Sequence, residues 1–227
     1  MIERKYQQRL IKITATPSGR DLGSIALDIE DKLKALPLPP GFTFQLAGQI
    51  QQQREAFGSL KFTSLLAIIL VYMVMASQFR SLLDPFIIMF SVPLGMIGVI
   101  WSLKLTGTTL NVTSFMGIIM MVGIVVSNGV LLVEYMNELR RRGLGLRESV
   151  IQGGRTRLRP ILMTSLCTVV GLIPMALGIG TGSEANAPLA RAVIGGLTVS
   201  TALTLLLIPT LYVMLEERFP RRMEATE

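Results

Sequence analysis

The chain has 227 residues, of which 50% are hydrophobic and only 16% are charged, and the apolar residues are concentrated in blocks. This composition argues against a purely soluble domain. The net charge of +7 comes from basic residues beside the apolar blocks, with few aromatic residues among them, which favours membrane topology over nucleic-acid binding. The absence of histidine excludes Ser-His triads and His-ligated metal sites, and the single cysteine, Cys167, cannot form an internal disulfide.

The first 56 residues are the only segment with the pattern of a soluble fold. Residues 10–15 favour a short strand, residues 21–36 carry apolar side chains at helical spacing, and residues 42–46 alternate as a second strand. We therefore predict a short α+β unit, strand-helix-strand, within residues 1–56. Because two strands do not complete a sheet, the chain is expected to begin inside a domain.

Five apolar blocks are each long enough to cross a bilayer, since about 20 apolar residues at ~1.5 Å rise span a hydrocarbon core ~30 Å thick. They cover residues 60–79, 85–103, 110–136, 158–179 and 192–215. At the start of the second block, Asp84 and Pro85 supply a capping residue and a proline at the first helical position. We predict a membrane all-α fold with five transmembrane helices at residues 57–217, followed by a tail at 218–227.

Small residues and prolines within these spans predict close helix approach and helix kinks, respectively. The glycines are Gly95, Gly98, Gly171, Gly195 and Gly196, and the prolines are Pro93, Pro174 and Pro209.

Basic residues are distributed unevenly between the two ends of the predicted helices. The richer end has eleven arginines: Arg80, Arg140, Arg141, Arg142, Arg147, Arg155, Arg157, Arg159, Arg218, Arg221 and Arg222. The other end has Lys61, Lys104 and Arg191. The positive-inside rule predicts that the richer end and the C-terminus are cytoplasmic, and that the N-terminal unit lies on the outer side of the membrane. Residues 144–159 suit either a short helix along the inner surface or an ordinary topogenic run of charges.

The third span contains two polar residues, Ser127 and Asn128, near its middle. An unpartnered amide in lipid raises the free energy, so Asn128 is expected to face protein or water. Both a hydrogen bond between helices and a place in a transport pathway agree with this position.

Arg157, Thr164 and Thr168 recur at intervals that place them on one stripe of the fourth span. A buried guanidinium on that stripe requires a carboxylate partner, and Glu134 is a candidate. Its position near the membrane edge also suits a solvated residue.

The 13 methionines have soft thioethers of the kind that bind copper(I) or silver. Flexible filling of the core explains them better, and no metal ligand set or nucleotide-binding motif is predicted.

Three runs of the sequence resemble a known family. They are GIVVSNGVLLVEYMNELRRRGLGLRESVIQGGRTRLRPILMTSL, GLIPMALGIGTGSEANAPLARAVIGGL and IPTLYVMLEERF. They look like the C-terminal part of resistance-nodulation-cell division efflux pumps of the acriflavine-resistance type. The resemblance implies an inner-membrane, proton-driven exporter that forms homotrimers and works with a periplasmic adaptor and an outer-membrane channel. Such pumps have twelve spans, so the chain would supply the last five and the end of the second porter region, without transporting anything alone.

The family's proton relay implies roles for individual residues. Asn128, Arg157 and Thr164 match its asparagine, arginine and threonine, while Ser127 occupies the position of its lysine. Thr168 and Glu134 are minor candidates. The relay's aspartate pair lies in the family's fourth helix, which is not in this sequence.

We therefore expect a proton/substrate antiporter for organic or drug-like compounds. The alternatives are a heavy-metal exporter of the same superfamily, and a non-transporting sensor or protein-export accessory of related fold. An enzyme is not expected, since the sequence has neither histidine nor a GxSxG elbow nor paired intramembrane carboxylates. No cofactor is predicted.

Overall fold

The computed structural model describes residues 3–5, 8–15, 22–37, 39, 42–180 and 183–218. The predicted tail, from residue 219 onward, lies outside the described residues. The chain divides into two compact units, Met1–Glu55 and Ala56–Glu227.

The first unit contains two short antiparallel strands, β1 (Glu3–Lys5) and β2 (Gln8–Leu10), and the helix α1 (Leu22–Ala35). The helix agrees with the sequence, but the predicted strand-helix-strand order is wrong. Residues 11–15 and 42–46 are not strands, and they have exposed side chains such as Ile13 (90%) and Phe42 (64%). The physical reason is that, among the described residues of this unit, neither segment meets a further strand on which its apolar face could be buried.

The second unit contains five helical segments that are long and apolar enough to cross a membrane, which confirms the predicted membrane all-α architecture. The helices are α2 (Gln49–Phe79, whose first residues belong to the first unit), α3 (Leu83–Met89), α4 (Ser91–Leu105), α5 (Val112–Arg141), α6 (Leu146–Ala176) and α7 (Ala187–Arg218). Together α3 and α4 form the second span, and a 3-10 turn at Ser183–Ala185 precedes α7.

Pro93 explains why the second span is divided into two helices. A proline has no N–H to donate to the carbonyl four residues earlier, and its ring crowds that carbonyl. The carbonyl in question belongs to Met89, where α3 ends. In contrast, α6 and α7 continue through Pro174 and Pro209.

The basic segment at residues 144–159 is not a separate surface helix. Gly145, in an extended conformation, precedes α6, which then runs without interruption from Leu146 through Pro160 to Ala176. The arginines of this segment therefore form the first turns of the fourth span.

Helix α7 is the centre of the bundle, and α4, α5 and α6 pack against it. Because lipid chains are as apolar as the helix side chains, close packing holds such helices together. A Cβ added at Gly98 would lie 2.4 Å from the carbonyl oxygen of Gly195, and one added at Gly195 would lie 2.1 Å from Cβ of Ser102. The predicted close approach is therefore present between α4 and α7. At Gly171 an added Cβ meets nothing within 4 Å, so no close approach occurs there.

Candidate functional site

A polar cavity of about 310 Å³ lies between α5, α6 and the end of α2. Its lining residues are Gln78, Phe79, Glu134, Tyr135, Asn137, Glu138, Arg141 and Arg157. Because this lining combines carboxylates, guanidinium groups and amides, the cavity suits water or a small polar group.

Arg157 projects from α6 into this cavity. Its guanidinium carbon lies 4.8 Å from the centroid of the Tyr135 ring on α5, within the range of a cation–π interaction. Its Nε atom is buried and has no hydrogen-bond partner among the described residues. A buried guanidinium nitrogen without an acceptor is unfavourable, so this side chain retains capacity to bind a further polar group.

Glu134, the carboxylate expected to pair with Arg157, lines the same cavity. Within the part of the chain that the structure describes, however, no carboxylate lies within 4.0 Å of the Arg157 guanidinium. Glu134 is an exposed residue, and the ring of Tyr135 occupies the contact instead. The two residues therefore share one cavity without an ion pair between them, and the exposure of Glu134 agrees with the alternative of a solvated residue.

Ser127 and Asn128 lie on different sides of α5. Asn128 is 9% exposed, as expected for an amide within a membrane helix. Ser127 is exposed and lines a separate, mainly apolar cavity of about 730 Å³ between α2, α4 and α5. Successive residues of a helix point about 100° apart, so neighbours in sequence do not share a face. The structure does not bring Ser127 to the cavity of Arg157.

The hydroxyls of Thr164 and Thr168 bond within α6. Thr164 donates to the carbonyl oxygens of Pro160 at 3.2 Å and Ile161 at 3.0 Å, and Thr168 donates to that of Thr164 at 2.9 Å. Such bonds to the preceding turn satisfy the hydroxyls without a partner on another helix. Neither threonine lines the cavity of Arg157.

The sequence analysis missed a buried polar network at the arginine-rich end of the bundle. Asn137 donates from Nδ2 to Oδ2 of Asp84 at 3.1 Å, and its Oδ1 accepts from the hydroxyl of Tyr212. Arg140 donates to the Tyr212 hydroxyl at 3.3 Å and forms an ion pair with Glu216 at 2.6 Å. Asp84 is 1% exposed and Glu216 is 3% exposed. The network joins α3, α5 and α7.

Asp84 illustrates why this network was missed. Its position before Pro85 suggested a helix cap, but α3 begins at Leu83 and the hydroxyl of Ser81 accepts from the N–H groups of Leu83 and Asp84. The carboxylate instead reaches a residue 53 positions later. The signal available in sequence was a carboxylate at the edge of an apolar span, which requires a polar partner wherever it is buried.

No group of three His, Cys, Asp or Glu side chains that could hold a metal ion is present among the described residues.

The chain is similar to several characterised proteins. It is 35% identical over 212 residues to the cobalt-zinc-cadmium resistance protein CzcA of Cupriavidus metallidurans, covering 93% of the chain and 20% of that protein. It is also 35% identical over 216 residues to the swarming motility protein SwrC of Bacillus subtilis, covering 95% of the chain and 20% of that protein. The chain thus spans about a fifth of the length of these relatives.

A crystal structure of a heavy metal efflux pump has the same fold over 88% of this chain and 20% of its own length, with 34% sequence identity and a TM-score of 0.74. The model of the AcrB/AcrD/AcrF family matches residues 1–216. The chain therefore belongs to the AcrB/AcrD/AcrF family of efflux transporters.

Proposed function

We propose that the chain forms part of a transporter that exports metal cations in exchange for protons. The observation that carries this proposal is its similarity to a cobalt-zinc-cadmium resistance protein and to a heavy metal efflux pump, over about nine-tenths of the chain in each case. Metal export thereby replaces the organic cargo expected from the sequence as the preferred function. Transport, not catalysis, is the role proposed.

This proposal assigns no cation site to the described residues, among which no group of three His, Cys, Asp or Glu side chains could hold a metal ion. The described helices instead contribute to proton coupling, which supplies the driving force. Arg157 is the central residue, because its buried Nε atom lacks an acceptor within a polar cavity that also contains Glu134. The permanent positive charge of its guanidinium attracts an anionic or polar group that enters the cavity.

The other relay residues have supporting roles in this proposal. Asn128 supplies a buried amide on α5, and Ser127 replaces the ammonium group of the family's lysine with a hydroxyl. Arg157 would then provide more of the positive charge than in members that retain the lysine. The hydroxyls of Thr164 and Thr168 donate to backbone carbonyl oxygens of α6, so on this proposal both residues would move with that helix.

We further propose that the intact pump forms homotrimers in the bacterial inner membrane, with a periplasmic adaptor and an outer-membrane channel. The arginine-rich end of the helices is assigned to the cytoplasm because of the positive-inside rule. This arrangement would carry the cation from the inner membrane or periplasm to the outside of the cell.

Export of an organic or drug-like cargo is the second candidate. The large apolar cavity between α2, α4 and α5 suits part of an apolar molecule, and the equally similar Bacillus relative is not named for metal resistance. Metal and organic export therefore require direct comparison.

Tolerance assays in a bacterium that lacks its own metal and drug exporters provide this comparison. Cells that express the intact pump are expected to tolerate several-fold more Zn²⁺, Co²⁺ or Cd²⁺ than cells with an empty vector, with unchanged sensitivity to lipophilic dyes. Increased dye tolerance without increased metal tolerance would overturn the metal proposal and favour organic export.

A further inference from the structure

Asn137 lies at the boundary between the cavity of Arg157 and the buried polar network of α3, α5 and α7. It lines the cavity, and both ends of its amide bond within the network. The amide nitrogen faces a carboxylate and the amide oxygen faces a hydroxyl, so the amide orientation is fixed by its partners. Asn137 is 6% exposed, which leaves little room for another rotamer.

The hydrogen bonds of Asn137 belong to a network that contains buried charged side chains. Asp84 and Glu216 are buried carboxylates, and a buried charge is stable only when it is paired and hydrogen-bonded. Arg140 bonds Glu216 and the Tyr212 hydroxyl, and its position near the end of α5 is favourable for a cation because helix C-termini carry partial negative charge. Glu216 lies near the end of α7, where a carboxylate is unfavourable, and therefore depends on Arg140.

The hydrogen bonds run in an unbroken series from α3 to α7. Asp84 accepts from Asn137, Asn137 accepts from Tyr212, and Tyr212 accepts from Arg140, which pairs with Glu216. Removing one hydroxyl from the middle of such a series alters the partners on both sides. Arg157 contacts Tyr135 on α5, and Asn137 lies two residues after Tyr135 on the same helix. A shift of α5 at Tyr135 would therefore also move Asn137.

We propose that Asn137 is a positioning residue that couples the Arg157 cavity to α7 through Tyr212 and Arg140. In the proton-driven pump, on whose proposed function this role rests, a change of charge in the cavity is passed through this amide to α7. Movements of α5 and α7 are thereby coordinated at the arginine-rich end, while α6 carries Arg157.

A double-mutant cycle on the purified full chain in detergent tests the coupling without requiring transport. The variants are Arg157→Gln, Tyr212→Phe and their combination, and the measured quantity is the midpoint of thermal unfolding. Distant, independent substitutions give additive shifts, whereas coupled ones do not. We expect the shift of the double variant to differ from the sum by about 2–4 °C.

Tyr72 provides a matched control, because its hydroxyl also donates a single hydrogen bond, to the carbonyl oxygen of Leu82 at 3.0 Å, outside the network. The combination of Arg157→Gln with Tyr72→Phe is expected to be additive. Additive shifts for the Tyr212 pair, or equal non-additivity for both pairs, would refute the coupling. If Tyr212→Phe alone fails to fold, Glu216→Gln takes its place in the same cycle.

Transport kinetics then distinguish positioning from a purely structural role. In the intact pump, Tyr212→Phe is expected to lower the maximal export rate several-fold while KM for the cation is unchanged, and Tyr72→Phe is expected to change neither. An unchanged maximal rate would overturn the positioning role even if unfolding were coupled. If the unmodified pump exports no cation, the proposed function fails, whereas the unfolding cycle still decides whether Arg157 and Tyr212 are coupled.

Discussion

Gly98 and Gly195 bring the backbones of α4 and α7 into direct contact. A Cβ on either residue would lie within 2.4 Å of an atom of the other helix, closer than real contacts allow. Side chains around this contact, among them Val99, Val193 and Leu197, are buried. Since packing between membrane helices relies on such close approach, we expect the contact to contribute to the stability of the bundle.

Replacement of Gly195 tests this contact at the scale of one residue. Gly195→Val is expected to destabilise the bundle by at least ~1–3 kcal/mol, because the added atoms must displace Ser102 or the backbone of Gly98. Thermal unfolding of the chain in detergent measures the effect. Gly171→Val is the matched control, since a Cβ there meets nothing within 4 Å. Equal unfolding temperatures for the two variants would show that α4 and α7 do not pack as described.

At the level of the helices, composition is sufficient to predict the number and approximate position of the membrane spans. It does not predict which helices contact one another. The five spans follow from the length of apolar blocks, which a bilayer imposes on each segment separately. The break between α3 and α4 lies at the residue whose carbonyl Pro93 cannot bond, although Pro174 and Pro209 do not interrupt their helices. The predicted strands are wrong at residues 11–15 and 42–46, because a strand depends on neighbours elsewhere in a sheet.

Polar contacts between helices were the part of the site that sequence did not predict. The bond between Asp84 and Asn137 joins residues 53 positions apart, and that between Asn137 and Tyr212 joins residues 75 positions apart. Periodicity places a side chain on a face of its own helix but does not determine which helix lies opposite. For the same reason the stripe of Arg157, Thr164 and Thr168 was recognised, while the contact of Arg157 with Tyr135 was not.

Arg191 shows how one residue can connect several elements at the opposite end of the bundle. Its guanidinium donates to the carbonyl oxygen of Ala176 at 2.9 Å and to the hydroxyl of Thr108 at 2.7 Å. The first bond occupies a carbonyl at the end of α6, where cations are favoured. Its own carbonyl oxygen accepts from Ser102 at 2.8 Å. Helices α4, α6 and α7 are therefore joined here by charge-assisted and neutral bonds.

At the scale of the whole molecule, the uneven distribution of arginines predicts orientation in the membrane. Single cysteines at Ser183 and Thr226 test it after the exposed Cys167 has been replaced by serine. A membrane-impermeant thiol reagent added to intact spheroplasts is expected to label Ser183→Cys at once, and Thr226→Cys only after permeabilisation. Labelling of the tail but not of residue 183 would invert the topology.

Flux into everted membrane vesicles directly measures the proton-coupled cation transport that we propose for the intact pump. With an acidic vesicle interior, Zn²⁺, Co²⁺ or Cd²⁺ is expected to accumulate, and a protonophore is expected to abolish the accumulation. Arg157→Ala should do the same at unchanged protein levels, whereas Arg155→Ala, which removes an exposed arginine one half-turn earlier on α6, should have little effect. Absence of accumulation, or accumulation that survives both the protonophore and Arg157→Ala, would contradict proton-coupled cation export that depends on Arg157.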